Sequence, residues 1–244
     1  MSNREKEDEG RQDESWQSAR SGRLRAHPAT TPRTGGAPVG MHPLGVSLGH
    51  DGVIYVPSSY RPEHPAALAV MLHGAGGSAR HGLDLLRPLA DEANLILVAP
   101  GSQGATWDVI VEDFGPDVRA IDEALAHAFE HYAVDPARVA IGGFSDGASY
   151  ALSLGLGNGD LFRHIIAFSP GFAVPPRQIG RPRIFMSHGT QDRVLPIDRC
   201  SRRLVRVFER AGYDVSYHEF EGPHVVPADM MREAVRWWLE GTVH

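Results

Sequence analysis

From about residue 41 onward, short unbroken apolar runs alternate with longer stretches whose apolar residues recur every three or four positions. The first rhythm predicts buried strands and the second predicts amphipathic helices. Short extended segments are expected at Gly45–Leu48 and Val53–Val56. Full strands are expected at Ala67–Leu72, Leu95–Ala99, Val139–Gly142, Ile165–Phe168, Ile184–Ser187 and Asp214–Phe220. Helices are expected over Arg80–Ala93, Asp117–Tyr132, Asp146–Leu156, Pro196–Ala211 and Pro227–Leu239. Val118, Ile121, Leu125, Ala128, Phe129 and Tyr132 would form one face of the second of these. Gly212 suits a helix end and Pro227 a first turn. Strands this continuously apolar are covered on both faces. The pattern therefore predicts an α/β fold, a mostly parallel sheet with helices on both sides. Ligands of such sheets gather in the turns at the carboxyl ends of the strands.

The first 40 residues lack either rhythm. Their large apolar residues are only Met1, Trp16, Leu24 and Val39, too few to repay ordering. A disordered tail over 1–40 followed by one folded domain over 41–244 is the expected division.

Gly143-Phe144-Ser145-Asp146-Gly147 fits the pattern G-x-S-x-G, and so does Gly45-Val46-Ser47-Leu48-Gly49. Context separates them. Ser145 follows an apolar strand and opens a helix, the setting in which a sharp turn lifts a serine oxygen above a sheet edge. Ser47 has no helix after it. A serine hydroxyl needs a base, and the base a carboxylate to orient it. In this architecture the chain order is serine, acid, histidine. Asp192 falls in the turn after the strand Ile184–Ser187, and His224 in the turn after the strand Asp214–Phe220. Among competitors, His188 precedes the acid and reads as a turn residue bonded to backbone, and His218 lies inside a strand. Asp198 stands at a helix start and Asp214 at a strand start.

An oxyanion needs fixed donors. The Asp146 N–H supplies one. Ala75 N–H, in the turn His73-Gly74-Ala75-Gly76-Gly77, is expected to supply the second, with Gly74 beside it at the substrate. The same turn partly fits a dinucleotide fingerprint, but the following strand ends in Pro100 where an acid is required. Trp107, Phe172 and Val225 are further candidates for the pocket wall.

Composition narrows the function classes. The net charge is −6, which argues against nucleic acid held by charge alone. The first 40 residues carry seven basic and six acidic side chains, so the negative charge resides in the body. The single cysteine, Cys200, excludes an internal disulfide and multi-cysteine metal sites. No apolar run approaches a membrane span, and the charged start is unlike a secretory signal, so a cytoplasmic location is expected. His127 and His131 have the spacing of two zinc ligands, but they are read as part of a solvated helix face, with no metal. The arginines Arg199, Arg202, Arg203, Arg206 and Arg210 are read likewise.

Together these motifs resemble the α/β-hydrolase superfamily, and within it the phospholipase/carboxylesterase family and its dienelactone-hydrolase-like relatives. The resemblance rests on His73–Gly77, Gly143–Gly147, His188-Gly189 with Asp192, and Gly222-Pro223-His224, and spans roughly residues 50–240. It implies ester hydrolysis with Ser145, Asp192 and His224 as the triad and no cofactor. The chain departs from it twice. Dienelactone hydrolases have cysteine where Ser145 stands, and many carboxylesterases have glutamine where Asp146 stands. The short link from Phe168 to Ile184 leaves no room for a lid, so short- to medium-chain or aryl esters are expected. The partners implied are a small-molecule ester and, at most, a second copy in a homodimer. A thioesterase, lysophospholipase or polyester depolymerase would use the same machinery. A non-catalytic binding protein of this fold is the alternative of another class.

Overall fold

The computed structural model describes residues 13–28, 38–45 and 52–240. Among them are eight strands: β1 (Gly40–Pro43), β2 (Val53–Val56), β3 (Ala66–Leu72), β4 (Leu95–Ala99), β5 (Val134–Phe144), β6 (His164–Phe168), β7 (Arg183–Gly189) and β8 (Val215–Phe220). They form one sheet in the order β1-β2-β4-β3-β5-β6-β7-β8. β1 and β2 are antiparallel to their neighbours, and every pairing from β4 to β8 is parallel.

The helices are α1 (residues 13–20), α2 (Ala79–Asp84), α3 (Arg87–Ala93), α4 (Asp108–Val111), α5 (Pro116–His131), α6 (Asp146–Gly157), α7 (Ser201–Arg210) and α8 (Ala228–Glu240). All residues of β3, β4 and β6 are buried, which is why their sequences are apolar throughout, save His164 at the start of β6. Alternate side chains go to opposite faces. Leu68, Val70 and Leu72 pack with α5 and α6 through Ile121, Leu125 and Leu152. Ala69 and Met71 pack on the other side with Leu83, Ala90 and Trp238 of α2, α3 and α8.

Several boundaries differ from those expected. The helix expected over Arg80–Ala93 is two helices. Pro88, in the first turn of α3, has no N–H to return to the preceding turn, so the chain restarts there. The helix expected from Pro196 begins at Ser201. Before it, the Cys200 N–H closes a turn onto the carbonyls of Pro196 and Ile197. Residues 46–51, which hold Ser47 and most of the segment expected at Gly45–Leu48, lie outside the described residues.

The expectation of a structureless segment over residues 1–40 does not hold for residues 13–28. Ala19 and Leu24 are each 2% exposed and belong to the main core. Asn158, at the end of α6, is fully buried and clasps this segment. Its Oδ1 accepts from the Leu24 N–H at 2.9 Å and from Arg23 at 3.0 Å, and its Nδ2 donates to the Gly22 carbonyl at 2.8 Å. Arg23 also makes a two-pronged pair with Asp160, at 2.8 and 2.6 Å. Trp16 lies under the guanidinium of Arg119. Few apolar residues suffice here because polar groups of the body satisfy the backbone of the segment.

The parallel strands end in register. Leu72 lies beside Gly143, Phe144 beside Phe168, Phe168 beside Ser187, and Gly189 beside Phe220. The turns that follow β3, β5, β7 and β8 therefore meet along one edge.

Candidate active site

Ser145 sits between β5 and α6 with φ +58° and ψ −119°, a left-handed conformation rare for a side-chain-bearing residue. Its neighbours explain how the turn is tolerated. A Cβ on Gly143 would lie 2.6 Å from the Gly147 carbonyl carbon, and one on Gly147 would lie 2.4 Å from the Leu72 oxygen. Only glycines let strand, turn and helix approach this closely. The Ser145 N–H is anchored on the Phe168 carbonyl at 2.9 Å. The side chain is left facing the sheet edge.

The structure brings Ser145, His224 and Asp192 together. Ser145 Oγ lies 2.9 Å from His224 Nε2, and His224 Nδ1 lies 2.5 Å from Asp192 Oδ2. Asp192 Oδ1 accepts from the N–H groups of Val194 and Leu195, each at 2.9 Å. Burial pushes the Asp192 carboxyl up, but the Leu195 N–H and His224 pull harder, and it lies below its ordinary value. The imidazole of His224 rests on Phe144, with ring centres 4.6 Å apart. A cavity of about 740 Å³ opens beside it, lined by Thr190, Gln191, Asp192, Arg193, Val194, Pro223 and His224.

Asp146 is the first residue of α6, and its N–H lies at the helix N-terminus, where the partial positive charge favours an anion. Ala75 is exposed in the turn after β3, and a Cβ on Gly74 would lie 3.3 Å from Ser145 Cβ. That turn is braced from beneath. The Gly76 N–H donates to the Ala105 carbonyl at 2.7 Å. His73 donates from Nδ1 to the Gly74 carbonyl at 2.8 Å and accepts the Ser102 N–H on Nε2 at 3.2 Å. Burial lowers the His73 pKa, in keeping with this neutral ring.

Trp107 is not a pocket wall. It is completely buried, stacked between His73 and Tyr150, and its indole N–H donates to the His73 carbonyl at 2.9 Å. It supports the turn instead of meeting a ligand. Phe172 is half-buried and Val225 is 44% exposed. The link carrying Phe172, residues 169–182, contains no helix and is tied to α6: Ser149 Oγ accepts the Gly171 N–H and Ser153 Oγ accepts the Val174 N–H, each at 2.9 Å.

Some residues that shape the site are silent in the sequence. Thr106 donates to the Asp146 carboxylate at 2.7 Å. Asp108 and Asp117 hold the loop before α5. Asp117, 1% exposed, accepts the Gln103 and Asp108 N–H groups, while Asp108 accepts from Tyr150 and from the N–H groups of Val109, Gly115 and Asp117. Such carboxylates look like surface charges in a sequence, because their partners are mostly backbone. Among the described residues, no three His, Cys, Asp or Glu side chains form a metal-binding group, and His127 and His131 stack on each other. Arg202 pairs with Glu219 and Asp198, and Cys200 is buried.

Burial, then the charge of Asp108, pushes the Asp117 carboxyl up to about 6, against 3.8 for an ordinary aspartate. The folded chain therefore holds this proton more tightly than the unfolded chain. The resulting stabilisation is fully present below pH 3.8 and is lost as pH rises through 6. Asp117→Asn removes this titration. Relative to the variant, the wild type should lose about 1.4 kcal/mol of unfolding free energy per pH unit between pH 4 and 6, about 3 kcal/mol in all. Urea unfolding at several pH values measures this, and a pH-independent difference would refute it.

A family model described as phospholipase/carboxylesterase matches residues 112–238. No curated protein matches the chain in sequence. Solved structures do match. Esterase 2 of Thermogutta terrifontis is 18% identical, with 88% of this chain and 98% of that one covered and a TM-score of 0.65. Esterase PE8 is 23% identical, with 80% and 99% covered and a TM-score of 0.64. A phospholipase/carboxylesterase of Dyadobacter fermentans is 25% identical, with 78% and 98% covered and a TM-score of 0.56. No helix among the described residues is long and apolar enough to cross a membrane.

Proposed function

Because this chain belongs to the phospholipase/carboxylesterase family of α/β-hydrolase esterases, we propose that it cleaves carboxylic esters through an acyl-enzyme formed on Ser145. One observation carries the reading: the unbroken chain from Ser145 Oγ through His224 to Asp192, with contacts of 2.9 and 2.5 Å. His224 takes the hydroxyl proton as Ser145 attacks the ester carbonyl, then delivers it to the departing alkoxide. Asp192 holds the imidazole with its proton on Nδ1 and offsets the charge that develops on the ring. The N–H groups of Asp146 and Ala75 receive the oxyanion. Water repeats the sequence on the acyl-enzyme and releases the acid.

The substrate class follows from the surroundings. The cavity beside His224 is open, and the helix-free link 169–182 runs close to α6. Both favour short- to medium-chain or aryl esters over long acyl chains. Hydrolysis of p-nitrophenyl esters from C2 to C18 tests the function. The specificity constant should peak at or below about C8, with no jump where the substrate begins to aggregate. An organophosphonate ester should label Ser145 in proportion to lost activity. Absence of hydrolysis of both the acetate and the butyrate from pH 6 to 9 would reject the function. Maximal rates on C14–C18 esters would reject only the substrate class.

A further inference from the structure

His188, next to last in β7, lies just before the loop that carries Asp192 and is completely buried. Its Nε2 lies 2.8 Å from the Leu195 carbonyl and 3.1 Å from Asp192 Oδ2. Both neighbours are acceptors only, so Nε2 must carry a hydrogen. Its Nδ1 lies 2.6 Å from the hydroxyl of Ser201, a buried residue that opens α7. In the neutral ring that nitrogen is bare and accepts the Ser201 O–H. Burial lowers the His188 pKa and so favours the neutral ring.

His188 thus approaches the same carboxylate oxygen that His224 occupies. With Val194 and Leu195 on Oδ1, Asp192 is surrounded by four N–H groups. The Leu195 carbonyl also returns to His188, so one ring holds both the carboxylate and the loop that bears it.

From this geometry we infer that His188, fixed in its Nε2–H form by the Leu195 carbonyl, with Ser201 O–H donating to its bare Nδ1, is a positioning residue that aims Asp192 at His224. The inference rests on the assignment of Ser145, Asp192 and His224 proposed above. A neutral N–H donor adds no charge of its own beside the imidazolium that forms on His224. It restrains the carboxylate from turning away, and it draws charge from the oxygen that faces His224. The charged and titratable groups facing His188 are Asp192 and His224 from the two loops and Glu219 of β8, whose charge is met by Arg202 of α7.

The test begins with the unaltered protein. Nitrogen-15 spectra of histidine-labelled enzyme report ring tautomers, and His188 should be neutral with its proton on Nε2 from pH 6 to 8. A proton on Nδ1, or a doubly protonated ring, would overturn the inference even if the variants below failed to fold. His188→Phe keeps a flat ring and removes the donor. It should lower kcat by about 10–100-fold with KM within about twofold. The acid limb of kcat/KM should move to higher pH, because Asp192 then holds the protonated His224 more strongly. His188→Gln places an N–H near the same point and should recover most of the loss. Equal losses in both variants with an unmoved acid limb would show that His188 only fills space. If the wild type hydrolyses no ester, the proposed function fails, and the tautomer still decides whether this hydrogen-bond chain exists.

Discussion

Ser145→Ala is expected to lower kcat on p-nitrophenyl butyrate by about 10⁵–10⁶-fold, the loss typical when a serine nucleophile is removed from an intact triad. The change removes one oxygen atom and little else. Ser145 makes no capping bond through its side chain to α6, and its backbone is held by the Phe168 carbonyl. Stability should therefore stay within about 1 kcal/mol of the wild type, since an alanine meets a similar conformational cost at φ +58°. Activity and fold are separable here, so urea unfolding beside the kinetics gives a clean reading. Any remaining rate above that of water belongs to the oxyanion donors and to binding. A variant with wild-type activity would mean that another group attacks the ester.

Asp192→Asn is expected to cost about 10⁴-fold in kcat near pH 7, and the structure shows why so small a change weighs so heavily. Asp192 Oδ1 already accepts two N–H groups, so the asparagine oxygen must take that place. Its NH₂ then faces His224 Nδ1 and His188 Nε2. To accept from this NH₂, His224 must move its proton to Nε2, where it points at Ser145 and cannot act as a base. His188 has no such escape, because the Leu195 carbonyl can only accept and keeps a proton on Nε2. Two donors then oppose each other in a buried site, at about 1–3 kcal/mol in stability. Activity above about a tenth of wild type would move the acid role elsewhere, with Asp198 and Asp214 next in line. Their side chains instead pair with Arg202 and Arg183, at 2.9 and 2.7 Å.

How much of this was legible in the sequence follows from the range of the forces involved. The central strands could be read because both faces of the sheet are covered, leaving β3 and β4 wholly apolar and β6 apolar after His164. The positions of Ser145, Asp192 and His224 could be read because each follows a strand, and parallel strands bring such turns to one edge. The sequence does not place Trp107, because an aromatic residue in a glycine-rich loop suits a pocket wall and a buried prop equally well. Only its stacking on Tyr150, 43 positions away, decides between them. His188 was set aside because its backbone bond is local, whereas its proximity to Asp192 Oδ2 depends on how the loop closes. Residues 13–28 were the largest departure. Their composition is that of an unstructured segment, and what orders them lies far along the chain: Asn158 at the end of α6, with Asp160, Asp122 and Arg119 beside it.

That asparagine sets a timetable for synthesis. Leu24 and Asn158 are 134 positions apart, so this early segment leaves the ribosome long before its partner exists. At the usual pace of about 5–20 residues per second, it waits roughly 7–27 s for Asn158 to be added, and longer for it to clear the exit tunnel. Throughout that interval the core that takes in Ala19 and Leu24 is incomplete, because Leu161, Phe162 and Ile165 follow Asn158. The charged and polar residues around them, which give the segment the composition of a disordered one, leave it little apolar surface to shield while the strands up to β5 emerge.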